Sequence, residues 1–318
     1  MRRVLGVTLT GLGAFLIGIG LLSRLVVPGL AVKDPLNERS VTTLTGTNAE
    51  YFSPATLSEL TGVSVKAVST TNGDVAAGTS STAVWNDFTA VQDVTNNAPI
   101  SYSSERLAFN RRTGELQNCC GAAIGTDTKL NMSGLGYVWP VNTQKKTYQI
   151  FDTTLLKPWP VTYAGTATVS GRTTYVYVEK VNNQQFGTQT LPGSLVGLSA
   201  ATVTLPQYLT ATNTYYVDPL TGGPLKVTED QSVTLESGGV TKLVLLRANL
   251  VTTPASTAAA ISTVQGDDSE ITAVEVIVPL VGILLGIVLV ITGGLLVVLS
   301  RDEDEDYYAD EDAVTSEV

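Results

Sequence analysis

Residues 276–300 read VIVPLVGILLGIVLVITGGLLVVLS, twenty-five consecutive uncharged residues closed by Glu275 and Arg301. At about 1.5 Å of rise per residue, a helix of this length exceeds the roughly 30 Å hydrocarbon core of a bilayer. The core helix of a soluble domain is seldom so apolar all round, so the run is predicted to be a transmembrane helix. A counterpart lies at the other end. Between Arg3 and Arg24, residues 4–23 read VLGVTLTGLGAFLIGIGLLS, twenty residues without a charge. Arg2 and Arg3 before it, and Gly29-Leu30-Ala31 after it, also fit a cleaved export signal. The apolar run is longer than the roughly 7–15 residues of a signal core, which favours an uncleaved anchor within residues 1–30.

Each helix carries a small-residue stripe. Gly6, Thr10, Ala14 and Gly18 fall four apart, as do Gly282 and Gly286, with Gly294 further on. Such stripes let helix backbones approach closely in lipid, so the two helices are expected to pack together. The competing reading is that glycine is simply frequent in membrane helices. Basic flanks and the length of the middle segment give a two-pass plasma-membrane topology, with both termini cytoplasmic and the domain outside.

Of 318 residues, about 31–251 remain for the extracytoplasmic domain, enough to bury a core. Its pattern is short β-type runs broken by turns, the one helical candidate being near 54–60. Thr173–Val181, TTYVYVEKV, is dense in β-branched and aromatic residues. Asn72-Gly73 reads as a hairpin turn, 218–223 (DPLTGG) as a turn cluster, and Ser237-Gly238-Gly239 as the bend of a long hairpin. The expected fold is mainly β, an antiparallel sheet or partly closed barrel with few short helices, flanked by two transmembrane helices. Residues 252–275, rich in Ser, Thr and Ala, read as a stalk. The tail, 301–318, reads as a disordered cytoplasmic segment that a basic partner would suit.

Charge and composition exclude several functions. The net charge is −10, but residues 302–318 hold nine acids and no base, leaving 20 acids against 19 bases elsewhere. A nearly neutral domain lacks the electrostatic footprint of nucleic-acid binding. The chain has no histidine, which removes Ser-His-Asp and Cys-His catalysis and the commonest metal ligand. No catalytic, cofactor or metal residues are assigned, and the chain is not expected to be an enzyme. Ten scattered acids, Asp87, Glu105, Asp152, Glu179 and Glu229 among them, make no glycosidase signature. Cys119 and Cys120 are adjacent, open to three readings: a vicinal disulfide, two free buried thiols, or bridges between chains. Trp139, Trp159 and Tyr163 bracket a proline-containing stretch and are candidates for an apolar pocket, with ordinary core packing the rival reading.

TGTNAEYF (45–52), RRTGE (111–115), NCCG (118–121), SGLGYVWPVNTQKKTYQIFD (133–152) and YYVDPLTGG (215–223) occur in that order before the closing hydrophobic helix. In combination these motifs resemble the actinobacterial porin PorA family over roughly residues 1–300. The resemblance implies an envelope location and channel formation, and it carries no catalytic residue. The layout, one β-rich ectodomain between two terminal helices, is also similar to the class B scavenger receptor family, whose ectodomains hold a lipid-conducting tunnel. Together they imply a membrane-anchored envelope protein that touches membrane lipids and binds or conducts an apolar or small solute. The alternatives are a channel-forming porin and a ligand-free structural or adhesive scaffold.

Overall fold

A computed structural model describes residues 2–26, 33–272 and 277–314. The cleavage candidate Gly29-Leu30-Ala31 lies outside them. The chain divides into two units, residues 1–32 with 267–318, and residues 33–266.

The first unit is a pair of antiparallel helices. α1 spans Arg2–Val26, and α3 spans Val278–Val314. Both are long and apolar enough to cross a membrane, over Arg2–Leu22 and Pro279–Leu299. Large apolar side chains such as Leu5, Phe15, Leu284, Leu285 and Val298 remain uncovered, as lipid-facing residues do. The helices meet through glycine. A Cβ on Gly13 would lie 2.6 Å from the Gly286 carbonyl oxygen, one on Gly6 2.8 Å from that of Gly293, and one on Gly20 3.1 Å from that of Pro279. The contacts therefore recur every seven residues on both helices. This corrects the expected four-residue stripe: Ala14 is exposed, Gly18 and Gly294 face open space, and Gly282 approaches no atom closer than 3.8 Å. Four residues turn a helix face by about 40°, whereas seven return it to within about 20°, so only the heptad stays in a long contact. α3 also continues through the acidic segment to Val314, where disorder was expected. A helix already nucleated extends at one hydrogen bond per residue fixed.

The second unit is an eleven-stranded antiparallel sheet curled into a half-barrel. Its strands are β1 (Arg39–Ser53), β2 (Ser58–Gly73), β3 (Thr82–Asp93), β4 (Ala98–Asn110), β5 (Ala123–Ile124), β6 (Tyr148–Asp152), β7 (Lys157–Val169), β8 (Arg172–Pro192), β9 (Thr202–Val217), β10 (Pro224–Ser237) and β11 (Val240–Thr252). The spatial order 5-4-3-2-1-11-10-9-8-7-6 is a meander in which every pair but β1–β11 is consecutive in sequence. The first and last strands pair at the centre, so the chain enters and leaves beside itself. The edges are β5 and β6, and residues 115–116 and 134–135 bridge from β4 to β6. Leu116 N donates to Gly134 O, Leu135 N to Gln149 O, and Phe151 N to Leu135 O. These bonds satisfy edge groups that would otherwise be open to pairing.

Turn chemistry follows the sequence closely in places. Ser237 pairs with Val240 across Gly238-Gly239, whose φ angles of +61° and +76° suit the two-residue hairpin turn that needs left-handed residues. Asp218 Oδ1 accepts hydrogen bonds from the backbone N–H groups of Leu220 and Thr221. Asn72-Gly73 departs from expectation. It ends β2 instead of forming the bend, because a Cβ at Gly73 would run into the Leu36 carbonyl. Residues 54–57 form a turn between β1 and β2, correcting the helical candidate there. Within the 252–275 stretch read as a stalk, α2 covers Pro254–Thr272. Its Thr257 and Val264 are buried, one helical face against the β unit.

Candidate functional site

The concave face of the sheet is identified by what the 135–139 segment touches. Trp85 on β3 stacks on Tyr137 at 5.8 Å, and Phe109 on β4 meets the same ring at 6.1 Å. Trp139 stacks on Tyr177 of β8 at 5.6 Å and meets Tyr215 of β9 at 5.2 Å. The two halves of the sheet thus turn these faces toward one another across a shared segment. Side chains alternate along a strand, so Asp87 lies on the same face as Trp85, and Glu179 on the same face as Tyr177.

Two groups of carboxylates stand on this face. Asp87 pairs in register with Glu105 on β4. It accepts hydrogen bonds from the hydroxyls of Ser69, Thr71 and Thr89. Burial, and secondarily the charge of Asp87, push the Glu105 carboxyl up to about 7. The Tyr137 hydroxyl approaches Glu105 without closing a well-formed hydrogen bond, and burial raises it far above the ordinary phenol value. The second group lies along one line of the sheet, Glu179 opposite Asn213 and Asn213 opposite Glu229. Burial raises Glu179, and burial together with the Glu179 charge pushes Glu229 up to about 7. Tyr215 donates to Glu179 at 3.1 Å, and Asn213 Nδ2 at 2.9 Å. Ion pairs join Arg106 to Asp74, Arg172 to Asp218 and Arg247 to Glu50, and among the described residues neither carboxylate group shares in one. Glu105 and Glu229 are half-buried, partly accessible to water although protein surrounds them.

The opposite face differs. One residue along from the Glu179–Asn213–Glu229 line, Lys180, Thr212, Asp230 and Asn249 lie in register across four strands. All four are exposed. A lipid-facing barrel needs an apolar outer band, and a line of Lys, Thr, Asp and Asn cannot supply one. Along this line the outer face of β8–β11 is made for water, while the inner face combines the carboxylates with buried apolar side chains such as Val181, Leu209, Ala211 and Leu235.

The aromatic candidates separate. Trp139 and Tyr163 both pack around Tyr177, Tyr163 at 5.8 Å. Trp159 lies apart, packed against Leu155, Val181, Leu209 and Ala211, with its Nε1 donating to Lys180 O. The three do not enclose one apolar pocket. Cys119 and Cys120 are joined in a disulfide, beside a cavity of about 210 Å³ that they line with Asn118, Thr128 and Leu130. The carboxylate groups carried no motif in the sequence. Their one signal was an acid at an inward position of each strand, legible only once register is known. Among the described residues no three His, Cys, Asp or Glu side chains are grouped to hold a metal ion.

A curled, polar-lined sheet on a chain with two membrane-length helices defines a β-rich, porin-like envelope protein. The chain belongs to the porin PorA family, whose model matches residues 5–295. Comparison with curated proteins returns no match.

Proposed function

We propose that this chain is a non-enzymatic, two-pass membrane protein that passes small hydrophilic solutes with a preference for cations. In this reading both termini are cytoplasmic, the β unit stands outside as a vestibule, and the acidic tail faces a basic partner. The observation that carries the reading is the concave face, where Asp87, Glu105, Glu179 and Glu229 have no basic partner among the described residues. Rings of carboxylates favour cations by direct Coulomb attraction, more strongly where protein displaces water. The same polarity counts against a lipid-like ligand, because an apolar tail would desolvate carboxylates and hydroxyls without replacing their hydrogen bonds. The exposed Lys180–Thr212–Asp230–Asn249 line counts against seating the sheet in hydrocarbon and supports a crossing made by the two helices.

The test is ion preference. Full-length protein is reconstituted into planar bilayers under a KCl gradient. The expected reversal potential has the sign of K⁺ permeation and moves toward zero in Glu179→Gln with Glu229→Gln. Anion preference, or no conductance from well-folded protein, counts against it. A second reading, a tethered solute binder without conduction, is favoured by the water-facing outer surface. Calorimetric binding of a small cation without conductance would support that reading instead.

A further inference from the structure

Glu179 is 1% exposed, and both hydrogen bonds it receives fall on one oxygen, Oε2. Its other oxygen, Oε1, is buried and has no partner. Asn213 Oδ1, the acceptor end of the amide that holds Oε2, is buried and bare as well. The amide cannot be turned over to repair this, since turning it would aim Oδ1 at the carboxylate. Other buried carboxylates of the same sheet are treated differently. Asp93 is 0% exposed, and its two oxygens receive hydrogen bonds from Tyr51, Asn96 Nδ2 and the N–H groups of Thr95 and Asn96. Asp218, 2% exposed, has an arginine on one oxygen and backbone N–H groups on the other. A buried acceptor left without a donor is costly, and more so when it is charged. The two unpartnered oxygens belong to residues opposite one another in register, Glu229 stands opposite Asn213 on the next strand, and among the described residues no ion pair neutralises either carboxylate.

We propose that Glu179 Oε1 and Asn213 Oδ1, with Glu229 beside them, form a subsite for a monovalent cation. The inference rests on the cation-preferring reading above, to which it adds the ion class and the atoms. A carboxylate oxygen, an amide oxygen and a second carboxylate are hard, neutral-to-anionic donors of the kind that alkali ions take. Asp152 adds its charge to the neighbourhood of Glu179 and Tyr215, yet among the described residues no three acids are grouped to hold a metal ion, which disfavours a divalent metal. The raised value of Glu229 fits a site short of positive charge.

The experiment follows thermal unfolding of full-length protein in detergent at pH 8, with chloride and ionic strength fixed. K⁺ is compared with N-methylglucamine, which is too large to enter. K⁺ is expected to raise the midpoint by a few degrees and to saturate. Asn213→Leu and Glu179→Gln are expected to abolish the difference between the two cations, and Glu229→Gln to weaken it. Because the readout is a difference within each variant, a less stable variant still reports. Asn213→Asp, which adds charge, should shift the K⁺ midpoint effect to lower concentration. Equal midpoints in K⁺ and N-methylglucamine for the unmodified chain would overturn the subsite, as would a K⁺ effect indifferent to Glu179→Gln and Asn213→Leu. Cation-selective conductance without K⁺-specific stabilisation removes the subsite and leaves the channel. K⁺-specific stabilisation without conductance does the reverse.

Discussion

Where α1 meets α3, contact depends on side chains that are missing: Gly6 against Gly293, Gly13 against Gly286, and Gly20 against the Pro279 carbonyl. Where β3 and β4 face β8 and β9, contact depends on the largest side chains present, Trp85, Phe109 and Tyr137 on one side and Trp139, Tyr177 and Tyr215 on the other. The solvent explains the contrast. Helices in lipid gain nothing from hiding apolar surface, so close backbone approach is the remaining source of attraction. A water-surrounded sheet gains from burying aromatic rings, and leaves between them a polar space where carboxylates stand.

The largest expected effect breaks the helix side. Gly13→Leu with Gly286→Leu puts branched side chains where a single Cβ already meets backbone at 2.6–2.7 Å. Crosslinking between cysteines introduced on the two helices should be lost, while Gly18→Leu with Gly294→Leu, which face open space, should leave it intact. If both pairs behave alike, the heptad contact is wrong. Next comes the aromatic side. Phe109→Ala removes a side chain with 0% exposure and should cost about 3–5 kcal/mol in chemical denaturation. Phe88→Ala, on the outward face and 49% exposed, should cost well under half of that, about 1 kcal/mol.

A third expectation concerns the carboxylates. Glu105 and Glu229 sit near 7 in the folded chain, against about 4.3 when unfolded. Between those values the folded state holds protons that the unfolded state has released, so stability falls as pH rises from about 4.5 to 7. Glu229→Gln removes its share of that slope. Relative to the parent, the variant should be near neutral at pH 4 and more stable at pH 8, by on the order of 1–3 kcal/mol in N-methylglucamine buffer. A parallel pair of stability–pH curves would refute the raised value. The smallest effect belongs to the disulfide. Cys119 and Cys120 are adjacent, so their closed loop is the shortest there is, and the chain-entropy gain should be about 1 kcal/mol. Cys119→Ser with Cys120→Ser should lower the denaturation midpoint only slightly, and reductant should add two daltons of mass, about one per thiol.

Much was legible in the chain without its fold. Uncharged runs of membrane length mark α1 and α3, because a bilayer reads hydropathy along one helix with no help from distant residues. Gly238-Gly239 and Asp218 specified their turns locally, by left-handed φ and by a side chain that caps its own backbone. Family membership came from ordered motifs, and none of the four carboxylates lies in one, although two motifs supply the tyrosines beside them, Tyr137 near Glu105 and Tyr215 on Glu179. What failed were inferences needing a partner. Gly73 looks like a bend until the Leu36 carbonyl arrives beside it. A four-residue glycine stripe looks right until a second helix selects the heptad. The Glu179–Asn213–Glu229 line joins residues from three strands, brought together only by register, since a slip of one would send all three to the outer face. Sequence by itself therefore determined the anchors, the β character and the turns. Tertiary structure decided which acids face inward, because burial and like-charge proximity are properties of the folded sheet and of no single stretch of chain.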